Sequence, residues 1–177
     1  MIFALTELRR ISKDAIPEAL EKALRYRLLN EPHESESICL DILIADPENQ
    51  QALVTLLLAI TDQFETQYVA ALERADEVLA QIADKYEHAY YEGILHERWA
   101  KAQLAREVPG HVAAGWLRKA MRSFERADEL STPDNPDASL RWNTCVRMLE
   151  HIDQHHAEPS GMRHNVEESF GDDVPVR

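Results

Sequence analysis

The chain has 177 residues, of which 45% are hydrophobic and 29% are charged, and this composition is typical of a globular protein rather than a disordered one. Its net charge is −13, and because residues 158–177 hold five acids and two arginines, or −3, the rest of the chain carries −10. Such a charge repels phosphate backbones and anionic lipids, so we expect neither nucleic acid nor a membrane as a partner.

The cellular compartment is inferred from the cysteines and the N-terminus. Cys39 and Cys145 each lie in an apolar helical run, which predicts reduced core residues. No run approaches the roughly 18 apolar residues of a membrane span, and the N-terminus lacks the basic leader of a signal peptide. We therefore expect a cytoplasmic protein.

Residues 15–49 carry two amphipathic helical runs that are separated by Asn30-Glu31-Pro32. Pro32 suits the first turn of a new helix, and Pro47 ends the second run. Two helices of about four turns with so short a connection pack as an antiparallel hairpin. In both runs apolar or small side chains recur at helical spacing, namely Ile16, Leu20 and Ala23, then Ser35, Ile38, Cys39, Ile42 and Leu43.

The spacing of the second run recurs near the C-terminus, where Ala120, Phe124 and Ala127 precede Pro133 as Ser35, Cys39 and Ile42 precede Pro47. Over residues 15–156 the chain resembles the tetratricopeptide repeat (TPR) family, whose repeat is about 34 residues long. Five positions of the family's repeat are matched here. In order, Ala23, Tyr26, Ser35, Cys39 and Pro47 occupy its small, aromatic, small, bulky and proline positions. The resemblance implies an all-α fold, a right-handed array of antiparallel helical hairpins.

The remaining periodic runs bring the prediction to about seven helices. Asn49 is expected to be the N-cap of the third helix, and a seventh helix over residues 137–156 is expected to cap the array. The third hairpin should be about two turns longer on each helix, since 27 residues separate Gly93 from Ala120. A glycine in the middle of a helix predicts a close approach between helices.

Three segments follow from these runs. Residues 1–13 form an N-terminal arm, residues 14–157 form the TPR-like domain, and residues 158–177 form an acidic tail. Prolines and glycines interrupt the polar sequence of the tail, which has little apolar surface to bury, so we expect it to be disordered.

Two histidine patterns raise the alternative of a metal-dependent helical-bundle enzyme. His88, Glu92 and His96 share one helical face and could ligate a metal such as zinc, and His151 and His155 repeat the spacing. Packing of an apolar face and the helix dipole explain these residues without a metal. Motifs of phosphate loops, nucleophile elbows and zinc proteases are absent from the sequence, so we expect no cofactor, no metal and no enzymatic activity.

The family resemblance places a binding groove on the concave surface that is lined by the first helix of each hairpin. Apolar inner positions argue against a clamp for a terminal carboxylate and favour an apolar peptide or an amphipathic helix. We therefore predict a protein-interaction scaffold with a protein or peptide partner. The chain's own arm or tail, or a second copy in a homodimer, would also fit the groove. The predicted groove residues are Leu20, Leu24, Arg27, Val54, Leu58 and Thr61.

As groove residues, Leu24, Arg27, Leu58 and Thr61 are expected to be surface residues that matter little for folding. A glutamate in place of Leu24 or Leu58 should therefore leave the fold intact and abolish binding of the partner.

Overall fold

The computed structural model describes residues 7–66 and 68–157, and within them it is 77% helix with no strand. This confirms the predicted all-α class and the number of helices in that part of the chain. One 3-10 turn, Lys13–Ala15, precedes the seven helices. These are α1 (Ile16–Leu28), α2 (Pro32–Ala45), α3 (Gln50–Thr61), α4 (Tyr68–Leu79), α5 (Lys85–Ala105), α6 (Gly110–Leu130) and α7 (Asp137–Ala157).

Each helix packs on the next one along the chain, which gives the pairs α1–α2, α3–α4 and α5–α6, with α7 against α6. The first helices of successive pairs also meet, α1 against α3 and α3 against α5. Side chains of three helices that are distant in sequence are thereby brought to one surface, which we name the α1–α3–α5 face.

The connections within the first and third pairs are built alike. Asn30 and Glu107, which follow α1 and α5, have φ angles of 61° and 57°, in the left-handed region. In both turns the backbone N–H of the next residue donates to a carbonyl five residues back, which caps the end of the helix. Pro32 and Pro109 then stand at the start of the following helix. Two hairpins of different length thus close with the same turn.

The third pair is the longest and the most tightly packed. Its helices α5 and α6 have 21 residues each, whereas α1 to α4 have 12 to 14. A Cβ added to Gly93 would lie 2.6 Å from Cδ1 and 2.8 Å from Cζ of Phe124, which is fully buried. The predicted elongation and the predicted close approach at Gly93 are both confirmed. The predicted N-cap is confirmed as well, because the side chain of Asn49 accepts a hydrogen bond from the backbone N–H of Ala52.

Exposed large apolar side chains concentrate on the first pair and the segment before it. Nine are exposed among the described residues, and seven of these precede residue 45. Leu28 is the extreme case, at 89% exposed. Most of the exposed large apolar side chains in the described part of the chain therefore lie towards its N-terminal end. The seven are Leu8, Leu24, Tyr26, Leu28, Leu29, Leu40 and Ile44.

The segment boundaries stay predictions. Of the predicted arm, residues 7–13 are described, and Ile11 packs beside the buried cluster of Ile16, Leu20 and Ile42. Residues 1–6 and the predicted tail, 158–177, lie outside the described residues. None of the described helices combines the length and the hydropathy that crossing a membrane requires.

Cys39 and Cys145 are free thiols in the interior, as predicted. Each is fully buried, and burial raises the pKa of each thiol to about 12. Both thiols are therefore protonated at neutral pH.

Candidate functional site

A cavity of about 280 Å³ lies on the α1–α3–α5 face, near the N-terminal ends of α3 and α5. Its apolar lining comes from all three helices, and Gln50, Gln51 and Glu87 supply polar groups. Three of the six predicted groove residues meet here, Leu20 and Leu24 from α1 and Val54 from α3.

Leu24 is the accessible apolar side chain of this cavity. It is 46% exposed, whereas Leu20 is buried and Val54 is half-buried. Tyr91 of α5 completes the lining, and burial raises the pKa of its phenol. The cavity therefore offers an apolar floor with one leucine left open to contact.

The same face becomes polar at the C-terminal end of α3. Arg27 Nε donates to Asp62 Oδ2 at 2.8 Å, and Arg98 Nη1 donates to Asp62 Oδ1 at 2.5 Å. Arg98 Nη1 also donates to Thr61 Oγ1 at 2.6 Å and to the carbonyl oxygen of Leu58 at 3.1 Å. Arg27, Leu58 and Thr61, the other three predicted groove residues, thus belong to a hydrogen-bonded cluster and do not line the apolar cavity.

One part of the sequence prediction is wrong at this end of the face. Thr61 was expected to be a surface residue, but it is only 4% exposed, and its hydroxyl lies against the guanidinium of Arg98. Leu58 is half-buried and packs against the core between α5 and α6. Spacing along α3 identifies residues of one side, but only the packing of α5 shows which of them are covered.

Like Asp62, a second carboxylate contacts two cations, and the sequence did not reveal it. Glu97 of α5 has a side chain only 1% exposed, and it lies 2.5 Å from Lys101 Nζ and 3.4 Å from Arg141 Nη1 of α7. A carboxylate without such partners costs several kcal/mol to bury. The sequence signal was present in part, since Glu97 and Lys101 are four residues apart on one helix.

The charged cluster around Asp62 and the charged cluster around Glu97 are close enough to influence each other electrostatically. Burial lowers the pKa of the Arg98 guanidinium, an effect that the carboxylates of Asp62 and Glu97 oppose and the charges of Arg27 and Arg141 reinforce. We name the whole set the arginine strip. With four cations to two carboxylates, it has an excess of two positive charges in an otherwise acidic protein. It consists of Arg27, Asp62, Arg98, Glu97, Lys101 and Arg141.

The three alternative metal ligands do not meet at one site: Glu92 and His96 line the same cavity, but His88 does not. Glu92 accepts hydrogen bonds from Ser123 Oγ at 2.7 Å and from Arg126, both on α6. The ring of His96 packs 5.5 Å from that of Trp116, and burial lowers its pKa.

His88 lines a separate cavity, beside Ile82 and Leu130. Within residues 7–66 and 68–157, no group of three or more His, Cys, Asp or Glu side chains is placed to hold a metal ion. Of the second histidine pattern, the side chain of His155 lies outside the described residues.

No family model, no curated protein and no solved structure matches the chain. The TPR resemblance therefore stays a prediction. The function is inferred from the cavity and from the charged groups that adjoin it.

Proposed function

We propose that the protein is a non-catalytic interaction scaffold that holds an apolar segment of a partner protein on its α1–α3–α5 face. The observation that supports this most is the cavity in which Leu24 stays 46% exposed between Leu20, Val54 and Tyr91. An exposed apolar side chain in a concave apolar site with polar groups at its edge is typical of peptide-binding grooves.

The size of the cavity favours a side chain as its occupant. Sites for small molecules usually have volumes of about 300–1,000 Å³, and this one is about 280 Å³. It suits one or two apolar side chains of an amphipathic helix or an extended peptide. Gln51 at its edge provides a side-chain amide that can pair with a peptide backbone.

A TPR-like, right-handed array of antiparallel hairpins is the arrangement that we propose for the fold. Contacts between the first helices of successive pairs and the shared turn at Asn30 and Glu107 support it. The small and bulky positions of the two matching runs support it too, because all six are fully buried, namely Ser35, Cys39, Ile42, Ala120, Phe124 and Ala127. We further propose a cytoplasmic location, since the two buried cysteines are unpaired, as is usual in a reducing compartment.

The proposal is tested by Leu24→Glu in the full chain, with Leu28→Glu as the matched control. Both leucines are exposed on α1, but only Leu24 lines the cavity. A carboxylate there must be desolvated when an apolar side chain docks, so capture of the partner from the native lysate should fall about tenfold or more. Leu28→Glu should leave capture unchanged, and both variants should keep the wild-type unfolding midpoint.

Equal loss of the partner in both variants, or no loss in either, would overturn the proposal. Leu58→Glu is a poorer test than the sequence suggested, because Leu58 packs against the core and its backbone carbonyl pairs with Arg98. Capture of an untagged second copy by a tagged chain, lost in Leu24→Glu, would assign the face to a homodimer instead.

A further inference from the structure

The arginine strip has positive charges that its own carboxylates do not balance. Asp62 is shared by Arg27 and Arg98, and Glu97 is shared by two further cations. Those two, Lys101 and Arg141, have side chains 45% and 39% exposed, so each keeps donors that face solvent. The strip can therefore accept additional carboxylates without breaking its existing pairs.

We propose that residues 166–174 of the same chain dock on the arginine strip. Their sequence is Val-Glu-Glu-Ser-Phe-Gly-Asp-Asp-Val, with four carboxylates, three large apolar side chains and no cation. A segment of this composition complements a surface that has an excess of arginine and lysine beside an apolar cavity.

The length of the chain permits this contact. Arg141 lies sixteen residues before Ala157, the last residue of α7, which corresponds to about 24 Å along a helix. The nine residues 158–166 span up to about 30 Å when extended. Glu167 and Glu168 can thus return to the level of Arg141. The segment from Glu167 to Asp172 spans up to about 17 Å, more than the roughly 10 Å between the axes of packed helices, so it is long enough to extend from Arg141 towards Arg98.

Because the tail is covalently attached to the domain, even a weak contact is enough for docking. A short covalent connection gives the attached segment an effective concentration of about a millimolar. A contact whose dissociation constant is about 1 mM between separate molecules would then be occupied about half the time within one chain. The sequence alone predicts a disordered tail because the tail has little apolar surface to bury, and the strip supplies the charge complementarity that this prediction did not include.

Docking of the tail and binding of a partner are separate claims. The tail contact needs no partner and is tested in the isolated protein. Only its consequence rests on the proposed function: a tail on the strip stands beside the cavity and competes with a partner segment that extends over both.

The test is zero-length crosslinking of the full chain with a carbodiimide, which joins a carboxylate to an amine in direct contact. Mass spectrometry should find Lys101 linked to Glu167, Glu168, Asp172 or Asp173. Lys119, which lies on α6 beside Trp116, is the control amine and should give no such link. A link between Lys101 and Glu97 is expected in every sample and shows that the amine reacts.

Three comparisons make the result decisive. Changing the four acids to their amides should abolish the Lys101 link, whereas Glu158→Gln should leave it unchanged. Raising the NaCl concentration to about 0.5 M should at least halve its yield, because salt screens exposed pairs. In a mixture of isotope-labelled and unlabelled chains, the link should join residues of one chain. No link, equal linking to Lys119, or links between chains would each overturn the proposal.

Discussion

The first and third hairpins close with the same turn but differ in their interiors. Asn30 and Glu107 take the same left-handed conformation, and a proline follows two residues later in both. Yet each helix of the third hairpin is seven or eight residues longer than its counterpart in the first. The connecting turn thus determines how a hairpin closes. The side chains of the two helices determine, independently of the turn, how much surface the hairpin buries.

The two hairpins also distribute apolar side chains differently. In the third, Phe124 and Leu117 are fully buried and Gly93 lets the helices approach. In the first, Leu28, Leu29 and other large apolar groups remain exposed. We infer that the third hairpin is packed more tightly and that the first leaves more of its large apolar side chains exposed to solvent.

The strongest test of this division compares Phe124→Ala with Leu28→Ala. Removing a fully buried phenylalanine leaves a cavity, and we expect the free energy of unfolding to fall by about 3–5 kcal/mol. Leu28 is 89% exposed, and its replacement should change that free energy by less than about 0.5 kcal/mol. Urea unfolding followed by circular dichroism measures both. Similar losses in the two variants would contradict the division.

A smaller effect distinguishes two helical glycines of the third hairpin, Gly93 and Gly115. In Gly93→Ala the new Cβ meets the ring of Phe124, which must shift, so we expect a loss of about 1–3 kcal/mol. Gly115 has no neighbouring atom within 4 Å of such a Cβ, and Gly115→Ala should stabilise the helix by up to about 1 kcal/mol. Opposite shifts of the thermal midpoint are the expected result. A gain in both variants would show that the helices can separate at no cost.

The smallest effect concerns the shared turn. Glutamate is unfavourable in the left-handed region, so Glu107→Gly should stabilise the protein by about 1 kcal/mol. Asparagine tolerates this conformation, and Asn30→Gly should change stability by only a few tenths of a kcal/mol. Differential scanning calorimetry resolves such differences as shifts of the melting temperature. If Asn30→Gly gave the larger gain, the two turns would not be equivalent.

The sequence predicted the helices because their signals are local. Helical spacing, the prolines at positions 32 and 47 and the cap at Asn49 each act within a few residues, and Gly93 marked the close approach. The equivalence of the turns was also visible, as a proline two residues after Asn30 and after Glu107, but glutamate is not a usual signal for that conformation.

In the candidate site, too, the residues that could be predicted are those with local sequence signals. Leu20, Leu24 and Val54 could be selected because the family resemblance implies a groove along the first helix of each hairpin, and helical period places these residues on one side of it. The polar cluster could not, since Arg27 and Arg98 lie 35 and 36 residues from Asp62, which both of them contact. Pairs of this kind depend on how the helices pack against one another, and no spacing within one helix encodes them.

The buried cysteines give the protein a practical property. Burial raises the pKa of both thiols to about 12, so very little thiolate is present at pH 8, and maleimides react with thiolates. Cys39 and Cys145 therefore do not react with maleimides while the chain is folded. A single cysteine introduced at an exposed position such as Leu28 can therefore be labelled with a fluorophore alone. Labelling of the two native thiols would in turn report local opening of the structure around them.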